Sequence, residues 1–259
     1  MVQKLVRLLK SNQLILGRVQ LKRLDFFVLC LFLMHSVNLL AQSPRRFKVK
    51  TGSPNHGKII FYGYIVNNDT IRHGAYKRYK GSVLIESGFF NNNLKDSVWN
   101  YYSQTKALLA TGCYSKNEKT GIWEYFRLNG TLTQKYNHTT KAMLYMAPEA
   151  VSEQPGAYAN LKSPIFIGGN DYMNSIIQNN VVYPQDAYKL GVSGKCFVHF
   201  VVDTLGTTTK VMVDADSDVR FAKAAVDVVT ALGQSWIPGS IDGRLVPVSY
   251  IIPVSFHPE

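Results

Sequence analysis

A repeat with a period of about 24 residues runs through the middle of the chain from Gly74. Three tripeptides that begin with a small residue and end with an aromatic one align at this period: Gly74-Ala75-Tyr76, Ser97-Val98-Trp99 and Gly121-Ile122-Trp123. A Gly-led triplet follows the same spacing, as Gly88-Phe89-Phe90 and Gly112-Cys113-Tyr114. A single hairpin cannot bury an apolar face by itself. The repeat therefore predicts hairpins that stack into a ribbon of sheet.

The repeat, at about 57–140, resembles the MORN-like repeat variant of bacterial exported proteins. Its last copy holds Asn129-Gly130 between the runs 123–126 and 131–136. Asn-Gly in this setting predicts a two-residue hairpin turn with both positions at positive φ. We expect Tyr76, Trp99 and Trp123 in the core of the ribbon. The alternative is a platform of aromatic rings that binds carbohydrate or peptide.

The C-terminal part of the chain has the pattern of an α+β fold, in the order of two short helices, two strands, a helix and a last strand. Residues 195–203 alternate strictly, with Cys196, Val198, Phe200 and Val202 on one side, which predicts a strand. An acidic cap at 216–218 precedes a helix whose apolar stripe packs on the sheet: Phe221, Ala225, Val228, Val229 and Leu232. Helices on one face of a small antiparallel sheet follow.

Residues 164–259 carry a set of motifs in a fixed order. These are Tyr183-Pro184, Gly191, Gly194, and then Trp236, Pro238 and Gly239. The pattern resembles the C-terminal domain of TonB-type energy transducers. These signature residues are expected mostly to shape the fold. The resemblance implies a periplasmic protein that couples inner-membrane energy to outer-membrane receptor transport.

In the TonB family, a short receptor segment pairs with an edge of this sheet, main chain to main chain. The last strand is predicted at such an edge, or interrupted, because Pro247 and Pro253 lack an amide donor. By resemblance, the residues expected to bind the partner are Val248, Ser249, Tyr250, Ile251, Ile252, Val254 and Phe256. The implied partners are a segment of an outer-membrane TonB-dependent receptor and the proton-driven motor proteins of the inner membrane. A homodimer formed by strand exchange is a further expectation.

The first 41 residues have the order of an export signal. Basic residues precede an apolar run at 26–41, which ends on small and polar residues. The run is shorter than the ~20 apolar residues of a spanning helix, which favours cleavage after Ala41. The long basic leader keeps a retained inner-membrane anchor as the alternative. His35 lies in the run, but Leu31 stands four residues before it where TonB-type anchors carry Ser.

Charge and motif content limit the other function classes. Residues 44–141 carry sixteen Lys and Arg against five Asp and Glu, whereas 142–259 carry seven against eleven. The lysines are scattered, which favours a solvated basic surface over a nucleic-acid interface. No spacing indicates a catalytic site, a cofactor or a metal site, so we expect a binding protein and no enzyme.

A segment at 141–163 has the turn-forming composition of a linker between the repeats and the C-terminal domain. A second function is consistent with these features. The chain would be an exported scaffold that uses its repeats and a TonB-like module for protein interactions without transducing energy. A cleaved signal favours this alternative, because force cannot be transmitted without an anchor.

Overall fold

The computed structural model describes residues 45–50, 57–148 and 160–257, with the strand alone described for 45–50. The predicted signal or anchor at 1–41 lies outside the described residues. Residues 44–259 form one compact unit. Within it, an N-terminal ribbon of antiparallel strands packs on a C-terminal module. The described part of this module has three helices and three small groups of paired strands.

The ribbon is a nine-stranded sheet in which each strand pairs antiparallel with the next. Its strands are β1 (Arg45–Lys50), β2 (Lys58–Val66), β3 (Asp69–Lys80), β4 (Val83–Asn91), β5 (Leu94–Tyr102), β6 (Leu108–Ser115), β7 (Glu118–Phe126), β8 (Leu132–Asn137) and β9 (Ala142–Met146). The ribbon predicted from the repeat is therefore present. The family assignment of the repeats as MORN-like stays a prediction. The predicted linker at 141–163 overlaps β9 at its start.

Two kinds of turn alternate along the ribbon. At one end, two-residue turns place both positions at positive φ, in Asn67-Asn68, Asn92-Asn93 and Lys116-Asn117. The turn at Asn129-Gly130 differs from the prediction, because Gly130 alone has positive φ, at 83°. There the chain forms a longer loop, closed by Arg127 N–H donating to the Thr131 carbonyl over 2.8 Å. Such a loop needs only one left-handed residue.

The core of the ribbon is aromatic and repeats with the sequence. Tyr76, Trp99 and Trp123 are buried, with the two indoles fully enclosed, which confirms the core prediction. Each indole lies flat over a glycine on the neighbouring strand. A Cβ at Gly88 would lie 2.2 Å from the Trp99 ring, and a Cβ at Gly112 would lie 2.2 Å from the Trp123 ring. The repeated glycine is therefore required by the bulk of the repeated tryptophan.

The C-terminal module is built on a three-stranded antiparallel sheet in the order β13-β12-β17. Its elements are β10 (Leu161–Lys162), β11 (Ile165–Phe166), α1 (Gly169–Asn180), α2 (Gln185–Lys189), β12 (Gly194–Val202), β13 (Thr208–Val213), α3 (Val219–Thr230), β14 (Trp236–Ile237), β15 (Gly239–Ile241), β16 (Arg244–Val246) and β17 (Val248–Phe256). Short pairs β11-β14 and β10-β15-β16 complete it. This is the mixed α and β architecture expected from the sequence.

Helix α3 packs on the sheet through the predicted stripe. Phe221, Ala225, Val228 and Val229 are buried, and the Phe221 ring stacks on Phe256 at 4.6 Å between centroids. The Asp218 carboxylate caps the helix by accepting from the Arg220 backbone N–H. Of the three residues predicted to cap the helix, the third is therefore the N-cap.

Helix α1 joins the ribbon to the module at the helix C-terminus. The Arg78 guanidinium donates to the Asn179 carbonyl over 3.2 Å and to the Asn180 side chain over 3.2 Å. The Lys80 ammonium donates to the Gln178 carbonyl over 2.9 Å. The last carbonyls of a helix lack partners within the helix and carry its partial negative charge. Two cations of β3 therefore satisfy and neutralise this end of α1.

The other end of α1 is held by a buried glutamine. The Gln134 side chain, fully enclosed on β8, accepts from the Gly168 N–H over 2.6 Å and donates to the Phe166 carbonyl over 3.1 Å. Between the two ends, the Tyr172 ring packs 5.3 Å from the Tyr125 ring of β7. The ribbon and the module consequently share one core.

Replacing Gly112 with Ala should destabilise the fold by about 1–3 kcal/mol, because the new Cβ would overlap the Trp123 indole in a packed core. Urea denaturation gives the free energy of unfolding directly. Cys113→Ala is the matched control, since Cys113 is exposed on the same strand. Equal unfolding midpoints for the two variants would show that the glycine–indole contact is not constrained.

Replacing Gln134 with Leu should cost about 1–3 kcal/mol for each backbone group left without its partner. These groups are the Gly168 N–H and the Phe166 carbonyl. The loss is measured by chemical denaturation, and hydrogen exchange at the Gly168 amide should accelerate. Gln104→Leu, on an exposed loop residue, serves as control. An unchanged exchange rate at Gly168 would contradict the role given to Gln134.

Candidate functional site at the edge of the C-terminal sheet

Strand β17 lies at an edge of the module sheet. It pairs with β12 over a continuous register from Val202↔Val248 to Gly194↔Phe256. In the ranges that the structure describes, no strand pairs with its other side. Pro247 separates β16 from β17, and Pro253 lies inside the edge strand. Both outcomes expected of these prolines, interruption and an edge position, are therefore observed.

The two faces of β17 differ sharply. Ile252, Val254 and Phe256 point into the core and are buried, whereas Ser249 and Ile251 are exposed. Val248 and Tyr250 are half-buried. Of the seven residues predicted to bind a partner, most therefore use their side chains for the fold. Their contact with a partner stays a prediction, and it would have to run through the backbone.

Tyr250 anchors the edge strand to the body of the module. Its hydroxyl donates to the Pro164 carbonyl over 3.2 Å, and its ring stacks on Phe200 at 5.8 Å between centroids. Burial raises the pKa of the Tyr250 hydroxyl above its ordinary value. The group remains a neutral donor near neutral pH, so this anchor does not depend on pH there.

The backbone direction at Pro253 follows from the opposite side of β12. The Asp214 N–H donates to the Phe197 carbonyl over 3.2 Å, so Phe197 directs its backbone groups towards β13. Phe197 is paired with Pro253. In an antiparallel ladder such a residue exchanges no hydrogen bond with its other neighbour, and Pro253 therefore faces away from β12. The free edge offers the amides of Ser249, Ile251 and Ser255, with a gap at Pro253.

The signature residue Trp236 lies at the centre of the module. It is buried, its indole N–H donates to the Thr208 hydroxyl over 3.0 Å, and its ring lies 5.1 Å from Phe166 and 5.3 Å from Tyr250. Gly239 follows where space is lacking, because a Cβ there would lie 2.6 Å from the Val248 side chain. Pro238, half-buried, lies between them. Trp236 and Gly239 therefore pack against Tyr250 and Val248 of the edge strand.

The remaining signature residues lie around α2. The Tyr183 hydroxyl donates to the Val192 carbonyl, and Pro184 is the N-cap of α2. Gly191 ends that turn with φ at 62°. Gly194 faces the Phe221 ring, and a Cβ there would approach it to 2.2 Å. These residues shape the module on the side of α3.

The outer face of the sheet holds residues that the sequence pattern placed away from the core but assigned no role. His199 pairs with Asp214 on this face. It is flanked in register by Met212 on β13 and by Ile251 on β17. The strict alternation of β12 was the available signal for this group. A partner strand added at β17 would lie next to Ile251.

No helix in the described part of the chain combines the length and the apolar character of a membrane span. Within the same residues, no group of three or more His, Cys, Asp or Glu has the arrangement of a metal site.

Residues 179–258 match the family model described as Gram-negative bacterial TonB protein C-terminal, which covers about a third of the chain. The C-terminal module is TonB-like. The match begins at the last turn of α1, so most of the helix that joins the ribbon to the module lies before it. No curated protein matches the chain.

Among solved structures, the chain is similar to S. aureus TarM, a mutant of which was solved in complex with Fondaparinux, alpha-GlcNAc-glycerol and UDP. The TM-score is 0.25 at 15% identity, over 44% of this chain and 24% of that chain. A second TarM structure gives the same TM-score and identity over 44% of this chain and 23% of that one. The chain spans about a quarter of the length of TarM, and the TM-score is too low to relate the two folds.

Replacing Pro253 with Ala should leave the free energy of unfolding within about 1 kcal/mol of the wild type, because no hydrogen bond to β12 involves this position. Ile252→Pro should cost about 3 kcal/mol or more beyond Ile252→Ala, because it removes an amide that faces β12. Urea denaturation of the three variants measures both effects. A gain in stability in Pro253→Ala, together with no extra cost of Ile252→Pro over Ile252→Ala, would mean that position 253 faces β12 and that the edge faces the other way.

Proposed function

We propose that the free edge of β17 binds an extended segment of an outer-membrane receptor in the periplasm by strand addition. The observation that carries this proposal is an unpaired, regular edge strand in a TonB-like module. Such an edge exposes a row of backbone donors and acceptors that an extended peptide can pair with. The proposal assigns binding to the chain, and no catalytic step, cofactor or metal.

The geometry of the edge limits the register of the added segment. The outward amides at Ser249 and Ile251 precede the gap at Pro253. The receptor segment should therefore form its hydrogen bonds mainly with the first half of β17. The exposed Ile251 lies in this half and would contact the side chain opposite it on the segment, whereas β17 separates the His199–Asp214 pair from the segment.

Energy transduction adds a requirement at the other end of the chain. The apolar run at 26–41 would remain as an inner-membrane anchor and contact proton-driven motor proteins. The ribbon would then act as a spacer fixed to the module, because α1 is bonded to it at both ends. Force on β17 would pass to the ribbon through these bonds and the shared core.

The second candidate is an exported scaffold without a motor. The bonds between α1 and the ribbon favour this candidate too. A ribbon of MORN-like repeats fixed to a strand-pairing module presents two surfaces in a constant arrangement. A cleaved signal would complete this form of the protein. In either form, a second copy of the chain could pair at the same edge, so homodimers and receptor complexes would compete for β17.

Photocrosslinking in the native envelope tests the binding edge. A photoreactive residue at Ile251 should crosslink to an outer-membrane receptor. The control is the same residue at Met212, which flanks His199 from the opposite edge and is equally exposed, at 57% against 55% for Ile251. Since β13 is not the proposed edge, Met212 should give no receptor crosslink.

Receptor crosslinks at Met212 alone, or at neither position, would refute pairing at β17. Crosslinks between two copies at Ile251, with no receptor, would instead identify the edge as a homodimer interface. N-terminal sequencing of the same material separates the two candidate forms, because only an intact N-terminus is compatible with an anchor.

A further inference from the structure

Two lysines of the ribbon occupy equivalent places one repeat apart, Lys95 and Lys119. The Lys95 ammonium lies 4.0 Å from the centroid of the Trp99 ring and donates to the Tyr101 hydroxyl over 2.9 Å. It also forms an ion pair of 2.6 Å with the buried carboxylate of Glu86. Burial alone would raise the pKa of Glu86, but the charges of Lys95 and then Arg78 outweigh it and hold that pKa below its ordinary value.

Lys119 has the same aromatic surroundings and lacks the carboxylate. Its ammonium lies 4.5 Å from the centroid of Trp123 and 3.4 Å from the Tyr125 hydroxyl. In the repeat register, Ala110 stands where Glu86 stands in the preceding copy. Among the described residues, no ion pair joins Lys119 to a carboxylate. A cation taken out of water without a counter-ion is costly to the fold.

Lys119 borders a cavity of about 380 Å³ between the last hairpins of the ribbon and the Trp236 turn. Lys119, His138 and Lys141 form its basic side. Its remaining lining contains no Asp or Glu. It combines the polar residues Tyr136, Gln234 and Ser235 with the apolar residues Ile167, Leu205, Trp236, Ile237 and Pro238. The cavity therefore offers positive charge at one side and apolar surface at the other.

The titratable groups around Lys119 are themselves basic or neutral. Burial, and then the charge of Lys95, lower the pKa of Lys119 to about 7. Burial, and then the charges of Lys119 and Lys141, lower the pKa of His138 to about 3, so this ring is neutral at pH 6. Burial also keeps Tyr125 and Tyr172 protonated by raising their pKa values. No charge on these groups offsets the Lys119 ammonium.

We propose that this cavity, called the Lys119 cavity, binds a small monocarboxylate with an apolar body. The carboxylate would pair with the Lys119 ammonium from the cavity, and Lys141 would add a second positive charge. The apolar body would lie against Trp236 and Ile237. Such a ligand would contact both the ribbon and the signature turn of the module, independently of any strand at β17.

Benzoate and its neutral counterpart benzyl alcohol test the site by NMR titration of the isotope-labelled full chain. Benzoate at pH 6 should shift the resonances of Lys119, Lys141 and the Trp236 indole, and benzyl alcohol should bind at least tenfold more weakly. Lys119→Met should weaken benzoate binding at least tenfold. Lys106→Met, at an exposed turn, should leave it unchanged.

The pH dependence gives a second readout in the wild type. Benzoate keeps its charge between pH 6 and pH 8.5, whereas Lys119, with its pKa near 7, loses its proton over this range. Because the neutral amine cannot pair with the carboxylate, affinity should fall about tenfold from pH 6 to pH 8.5. Lys119→Met should show a flat profile.

Equal binding of benzoate and benzyl alcohol, or equal benzoate affinity in Lys119→Met, would overturn the proposal. So would the absence of site-specific shifts at high benzoate concentration. If Lys119→Met does not retain the wild-type spectrum, Lys119→Gln replaces it, and the wild-type pH profile still decides. A flat wild-type profile between pH 6 and pH 8.5 would count against the site.

Discussion

The position of helix α1 depends on polar bonds from the ribbon to both of its ends. Arg78 and Lys80 bind the carbonyls of its last turn, and Gln134 binds the backbone just before its first turn. A helix end buried without such partners would be unstable. Because these bonds come from two different strands of the ribbon, α1 can dock in one orientation. The shared core around Tyr172 follows from that orientation.

Two features of β17 limit unwanted pairing at its exposed edge. An exposed edge strand is an aggregation hazard unless it is interrupted or covered. Here β17 is attached to the core through Tyr250 and the buried face of the strand, while Pro253 removes one donor from the middle of the free side. The edge is thus regular enough to accept a partner strand, and the missing donor at Pro253 interrupts the register available to any added strand.

Much of the module was predictable from local patterns. The alternation of β12 and the apolar stripe of α3 follow from single periodicities, and both are found as predicted. The aromatic core of the ribbon followed in the same way, since the Gly112 and Trp123 positions repeat together. The prediction for the turn at Asn129-Gly130 was wrong, because the length of the loop, and not the identity of the dipeptide, sets the number of left-handed residues.

The contacts between α1 and the ribbon, and the Lys119 cavity, could not be predicted from the sequence for a physical reason. Gln134 and Gly168 are far apart in sequence, and no periodicity links a ribbon residue to a helix start. The change from Glu86 to Ala110 was visible in the repeat, but its consequence depends on the packing of the Lys119 ammonium over the Tyr172 ring of α1. The outward direction of Pro253 likewise required the pairing between β12 and β13.

Hydrogen exchange tests the pairing edge most directly. The full chain would be studied with a synthetic peptide that copies the periplasmic N-terminal segment of an outer-membrane receptor from the same cell. The account predicts added protection at the amides of Ser249 and Ile251, with none at the amides of β13. Protection on β13, or no protection on β17 when the peptide is bound, would contradict it.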